Sequence, residues 1–164
     1  MYICKIASLE EMEQKWDYEI ARHPGDRNWT VWKGEAIEGA GTGRSVPYVG
    51  VLDGRVICEA TAAPCFGLPQ GGEGPGEGRT AELCAFRTVR EYRGKGYFSA
   101  LMVFMLDDLK KRGYAKAVVG VEPEEKTNRD IYRHWGFAEF AGTGTETYPD
   151  GTVIDVEFYL KRLQ

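Results

Sequence analysis

The residues of this chain best suited to hold chemistry are gathered in one short turn, Arg93-Gly94-Lys95-Gly96. A run with apolar side chains at Phe98, Leu101, Met102, Met105, Leu106 and Leu109 follows at once. That three-and-four spacing predicts a single stripe on one helical face. Lys110, Lys111, Arg112 and Gly113 close the helix as the dipole and a left-handed cap favour. A glycine-bearing turn at the mouth of a helix aims several unpaired backbone N–H groups at one point, and the dipole adds roughly half a positive charge there. The chemistry this predicts is phosphate binding, with Gly94 and Gly96 admitting a close approach and Arg93 and Lys95 adding charge. The plainer alternative is a basic loop that caps a core helix.

Two phosphate motifs are excluded. A P-loop needs a glycine five residues before the Gly94-Lys95 pair, where Val89 stands, and a Ser or Thr after the lysine, where Gly96 stands. The dinucleotide fingerprint needs a third glycine where the chain has Ser99. The cysteines Cys4, Cys58, Cys65 and Cys84 lack paired metal-ligand spacing, so no metal is expected. Cys58 and Cys84 lie in apolar runs, where a thiol serves as a small core residue.

The elements that must position the turn can be read in order. Tyr2 to Ala7 forms a strand, and Ser8 with Glu11 starts a helix reaching about Arg22 as a capping box. Asn28 to about Gly39 is a second helix. Val46 to Leu52 and Arg55 to Ala63 make a hairpin about Asp53-Gly54. Pro64 to Arg79 reads as a mobile Gly-rich loop, either a lid or a tolerated insertion. Thr80 to Arg90 is a strand feeding the basic turn, and Tyr114 to Val121 is a buried strand after the central helix. Lys126 to Trp135 is a short helix. Strands from Phe137 to Thr145 and Thr152 to Leu160 flank the turn Tyr148-Pro149-Asp150-Gly151. The order β-α-α-β-β-β-α-β-α-β-β predicts a mixed sheet with helices on both faces.

With 164 residues the chain is read as one domain, residues 1–164. A net charge of −4 argues against general nucleic-acid binding. There is no apolar run long enough to span a bilayer and no signal-peptide layout at Met1 to Glu10, so the expected location is cytoplasmic, without membrane contact. A homodimer is among the assemblies such a chain could form.

Arg93-x-x-Gly96 at a helix mouth resembles the acyl-CoA pyrophosphate loop of the GNAT superfamily of N-acyltransferases. Asn128-x-x-x-Tyr132-x-x-x-Gly136-Phe137 resembles that superfamily's Asn…Tyr…Gly-Phe segment, with Asn128 and Tyr132 sharing a helical face. The likeness extends from about Tyr48 to Leu160. The family's loop usually carries Gly or Ala where this chain has Phe98, a departure that bears on how closely the donor approaches. The resemblance implies an α/β fold with a mostly antiparallel sheet and acetyl-CoA as acyl-donor co-substrate. It also implies an amine of a small molecule or peptide as acceptor, attacked directly in a ternary complex. The pyrophosphate would lie on Arg93, Gly94, Lys95, Gly96, Tyr97, Phe98 and Ser99. The resemblance further assigns the pantetheine arm to Thr88, Val89 and Asn128, and the thioester oxygen to a backbone N–H near Phe86. Arg129 or Arg133 would reach the ribose phosphate.

Such a reaction must first remove a proton. An amine of pKa about 10.4 is only about one part in a thousand neutral near pH 7, a penalty of about 4 kcal/mol. Glu82, eleven residues before Arg93, stands where some members carry a glutamate base. Burial would have to raise its pKa, and the alternative is a solvated or salt-bridged strand glutamate. Glu59 is the second candidate. Tyr132 would donate a hydrogen bond to the leaving sulfur, or else serve as a packing aromatic. Trp29 and Trp32 would line the acceptor pocket or pack a helix on the sheet. The rival function is a noncatalytic acyl-CoA-binding sensor or interaction module, which needs the turn but neither Glu82 nor Tyr132.

Overall fold

The computed structural model describes residues 1–65 and 78–163. Most of the loop expected from Pro64 to Arg79 lies outside them. Strand β1 (Tyr2–Ile6) leads into α1 (Leu9–Arg22), whose first turn carries the expected capping box. The Glu11 amide donates to Ser8 Oγ at 3.2 Å, and the Ser8 amide donates to Glu11 Oε1 at 2.9 Å. Helix α1 buries Met12, Lys15, Trp16 and Glu19, a three-and-four stripe in which half the members are charged. Helix α2 (Asn28–Gly41) runs two residues beyond the expected end at Gly39.

Strands β2 (Val46–Leu52) and β3 (Arg55–Pro64) form the expected hairpin. Asp53 and Gly54 both adopt positive φ, 48° and 84°, the pair of left-handed residues that a two-residue hairpin turn requires. Strand β4 (Arg79–Thr88) stops two residues short of the expected Arg90, because Arg90–Tyr92 coils into one 3-10 turn ahead of α3 (Tyr97–Lys111). Then come β5 (Tyr114–Val121), α4 (Lys126–His134), β6 (Glu139–Thr147) and β7 (Val153–Arg162). Strand β6 begins two residues after the expected Phe137, which belongs instead to the cap of α4.

Among the described residues the seven strands form one sheet in the order β1-β2-β3-β4-β5-β7-β6. Pairs β1–β2, β2–β3, β5–β7 and β6–β7 are antiparallel, while β4–β5 is parallel. This is the mixed, mostly antiparallel α/β architecture expected from the sequence.

Two compact units can be distinguished. The first comprises Met1–Ala62 and Ala85–Met105. Its core is built from Tyr48, Ile57, Cys58, Leu101 and Met105, each almost wholly withdrawn from water. Full burial of side chains this size contributes about 1.5–3 kcal/mol apiece, which fixes the amphipathic start of α3. The second comprises Ala63–Cys84 and Leu106–Gln164. Val118, Leu160, Ala141 and Cys65 pack together there, with Phe158 against them. Cys58 is buried as expected, but Cys84 is exposed. Alternation along β4 buries Ala81 and Leu83 and turns Cys84 outward, so reading the apolar run as all-core misplaces it.

Candidate functional site

The turn between β4 and α3 is shaped by its own main chain. The Val89 amide donates to the Ile57 carbonyl at 2.8 Å, and the Tyr92 amide to the Val89 carbonyl at 2.9 Å. Arg93 folds back, its Nε donating to the Thr88 carbonyl at 3.0 Å and its amide to the Arg90 carbonyl at 3.2 Å. Val89 thus has both its N–H and its carbonyl engaged within the protein. Gly94 and Gly96 then stand at φ 73° and 86°, with nothing within 4 Å of where a Cβ would be. Their left-handed conformation, not crowding, is what selects glycine. Among the described residues, none of the backbone bonds around the turn uses the amides of Gly94, Lys95 or Gly96. Successive amides presented this way form an anion-binding concavity at a helix mouth. The start of α3 is pinned by β1, where the Tyr2 hydroxyl donates to the Tyr97 carbonyl at 2.7 Å and the two rings lie 4.7 Å apart.

Just ahead of the turn, Ala85 takes φ 57°, a left-handed conformation in a non-glycine strand residue. The alternation of buried and exposed positions along β4 ends at this point. The next residue, Phe86, meets Phe98 edge to face with ring centroids 5.4 Å apart. The large side chain at Phe98 therefore packs against the residue whose amide was expected at the thioester oxygen.

The second unit holds the other expected residues. Glu82 is half-buried on β4, and desolvation, with the Glu146 charge adding to it, raises its carboxyl above the ordinary range. Tyr132 is half-buried on α4, where burial and then Glu125 push its hydroxyl up to about 12. It is therefore a neutral donor throughout the physiological range. Asn128, one turn earlier, is exposed, and its Nδ2 donates to Glu125 Oε2 at 2.7 Å. Arg129 faces Glu157 with Nη1–Oε2 at 3.5 Å.

The Gly136-Phe137 pair has a clear mechanical role. The Phe137 amide donates to the Tyr132 carbonyl at 3.0 Å, and the Gly136 amide to the Arg133 carbonyl at 2.9 Å. With Gly136 at φ 95°, this is a Schellman cap that ends α4 and fixes its last turn.

Sequence reasoning missed a buried charge network in the first unit. Lys15, Glu19 and Glu59 are 8%, 3% and 5% exposed. Lys15 Nζ lies 3.4 Å from Glu59 Oε1, Arg87 Nε lies 3.6 Å from the same oxygen, and Arg87 Nη1 pairs with Glu19. Burial lifts the Glu59 carboxyl to about 7, with Lys15 pulling the other way. Trp29 takes its place beside this network: His23 stacks on it at 4.2 Å, Arg87 lies 5.0 Å from its ring, and Trp32 meets it edge-on at 5.2 Å. The one sequence signal was that Lys15 and Glu19 fall in the same helical stripe as Met12 and Trp16.

Residues 6–137 match the model of the acetyltransferase (GNAT) family. The chain belongs to the GNAT acetyltransferase family. Solved structures agree in fold. An N-acetyltransferase from Staphylococcus aureus Mu50 is 18% identical, with a TM-score of 0.67 over 100% of this chain and 99% of that one. A ribosomal-protein-alanine N-acetyltransferase from Brucella melitensis is 16% identical, with a TM-score of 0.68 over 98% and 99%. A Salmonella typhimurium protein solved with its cofactor acetyl-CoA is 16% identical, with a TM-score of 0.63 over 99% and 94%. A search of curated proteins gives no match. In this GNAT chain the donor set of the turn suits an acyl-CoA diphosphate: unused amides at a helix mouth, open space above both glycines, and exposed Arg93 and Lys95. Among the described residues, no group of His, Cys, Asp and Glu is placed to hold a metal ion, and no helix is long and apolar enough to cross a membrane.

Proposed function

We propose that this protein is a cytoplasmic N-acetyltransferase that moves an acetyl group from acetyl-CoA to an amine of a small molecule or peptide, by direct attack in a ternary complex. The observation that carries this reading is the pair of left-handed glycines, Gly94 and Gly96, whose amides stand unused at the mouth of α3. Arg93 to Ser99 grip the diphosphate. The Phe86 amide, which follows the left-handed Ala85, polarises the thioester oxygen. Thr88, Val89 and Asn128 hold the pantetheine arm, Val89 through the second lone pair of its carbonyl.

Glu82 accepts the proton of the acceptor ammonium, helped by the raised affinity for a proton that its burial and Glu146 supply. Tyr132 hydrogen-bonds the departing sulfur. A hydroxyl near 12 cannot protonate a thiolate of pKa about 8.5 without a cost of about 5 kcal/mol, so hydrogen-bond donation is its role and full transfer is not. The test is free-thiol release from acetyl-CoA across a panel of amines. Release above the blank with at least one amine is expected. Acetyl-CoA binding without any release would leave the protein a noncatalytic acyl-CoA-binding module.

A further inference from the structure

Tyr2 holds a carbonyl that lies 95 residues further along the chain, within the same compact unit. The Tyr97 carbonyl, at 2.7 Å, has no proton to give, so the single proton of the Tyr2 hydroxyl lies on that bond. The Cys58 thiol, 3.0 Å from the same oxygen, is then the donor of a second bond. Accepting one bond polarises the hydroxyl and strengthens the one it donates. Burial, and after it the Cys58 thiol, push the Tyr2 hydroxyl far above the ordinary tyrosine range, so it stays a donor at any working pH.

Gly50 is accounted for by the same hydroxyl. It lies on β2, opposite Cys4 of β1 on one side and Cys58 of β3 on the other. Glycine weakens a strand interior and often marks a close approach there. Its φ is not left-handed, so backbone torsion does not select it. A Cβ at this position would overlap Tyr2 Oη and stand 2.6 Å from Cys58 Sγ. The space that Gly50 leaves is the space the Tyr2 hydroxyl fills.

Tyr97 is the first residue of α3 and follows Gly96 directly. Its carbonyl and the Phe98 N–H are opposite edges of one planar trans peptide unit, so a bond that fixes one fixes the direction of the other. The Phe98 N–H belongs to the first helical turn, whose amides point out of the helix mouth. The Tyr97 ring is flanked as well, by Tyr2 at 4.7 Å and Tyr92 at 6.2 Å.

We propose that Tyr2 is a positioning residue for the acyl donor: reaching from β1 over Gly50, its hydroxyl aims the Phe98 amide at the diphosphate. This role rests on the acyl-CoA reading of the turn. Tyr2 acts through the Tyr97–Phe98 peptide rather than by contact with the donor.

The test is calorimetric titration of the full chain with CoA, in the native protein, Tyr2→Phe, Gly50→Ala and the double variant. Tyr2→Phe keeps the ring and removes the hydroxyl, and is expected to weaken CoA by about fivefold, the size of one hydrogen bond. Gly50→Ala displaces the hydroxyl and should weaken CoA by a similar factor. Combining the two should weaken it no further, since both remove the same bond. In turnover with acetyl-CoA, KM for the donor should rise by that factor while kcat stays level. A tyrosine of purely structural use would lower the melting temperature and leave these readings where they were. Native binding of CoA with an unchanged affinity in Tyr2→Phe would overturn this proposal alone, as would additive losses in the double variant. A native protein that does not bind CoA would overturn the acyl-CoA reading and this role with it. Should Gly50→Ala fail to fold, the Tyr2→Phe titration decides by itself.

Discussion

Tyr132 and Phe137 are joined twice, through the main-chain bond of 3.0 Å from the Phe137 amide to the Tyr132 carbonyl and through rings that meet edge to face at 6.5 Å. Phe137 is 1% exposed, so the capped end of α4 is anchored in the core and carries the tyrosine with it. Gly136, at φ 95°, makes the connection possible, and a Cβ there would stand 2.6 Å from Lys161 Nζ. Gly136→Ala is therefore expected to cost about 1–2 kcal/mol in backbone strain, with Lys161 displaced from its bond to the Trp135 carbonyl. A thermal melt should fall by several degrees, and turnover should drop more than CoA affinity. An unaltered melt would remove the cap from the account.

Tyr132→Phe removes the hydroxyl and keeps the ring contact. If that hydroxyl donates to a developing thiolate, its loss is worth about 1.5–3 kcal/mol, or roughly ten- to a hundredfold in turnover. CoA affinity, read by equilibrium titration, should hardly move. Because the hydroxyl sits near 12, no alkaline limb in the pH profile below pH 11 should belong to it.

Glu82 makes a prediction in pH. Its carboxyl is raised, so the proton is held at pH values where an ordinary glutamate has lost it, and the base becomes available only as pH climbs. The profile of kcat/KM should rise through a limb displaced upward from the ordinary carboxylate range. Glu82→Gln should abolish that limb and reduce the rate by about a hundredfold or more. Persistence of the limb in the variant would pass the role to another group.

Stability should respond to pH through Glu59. The folded protein holds this proton more tightly than the unfolded chain, so its stabilising contribution is complete below the ordinary glutamate pKa. It is lost as pH rises through about 7. Melting temperatures recorded from pH 4.5 to 7.5 should decline more steeply in the native protein than in Glu59→Gln. Parallel curves would show that Lys15 and Arg87 offset the burial completely.

The turn invites a backbone test. Gly94→Ala and Gly96→Ala introduce no clash, since both sites face open space, but each forces a side-chain-bearing residue to positive φ at about 1–2 kcal/mol. CoA affinity should weaken by about tenfold for each, while the core packing of α3 is untouched.

Much of this architecture was legible in the sequence because it follows local rules. Tyr114–Val121 was placed at its true bounds because a Val- and Ala-rich run, interrupted only by Lys116, lies between the helix-ending Gly113 and Glu122-Pro123. Ser8 and Glu11 announced α1 for the same reason, each satisfying the other's backbone. What escaped was non-local or exceptional. The left-handed Ala85 interrupts the alternation of β4 at a residue with no glycine signature, and the outward turn of Cys84 follows from that strand's alternation, which an apolar run does not announce. The Lys15–Glu59–Arg87–Glu19 network escaped because pattern reading assigns charged positions to water. Its members lie on three elements, and only folding reveals that they neutralise one another.

The hold of Tyr2 on the Tyr97 carbonyl has a kinetic consequence. A recess whose curvature is preset by two glycine torsions, and whose far end is moored to the first strand, has little left to organise when a diphosphate arrives. Capture should then be governed by encounter, hastened by the guanidinium and ammonium on its lip, and slowed by added salt as those charges are screened.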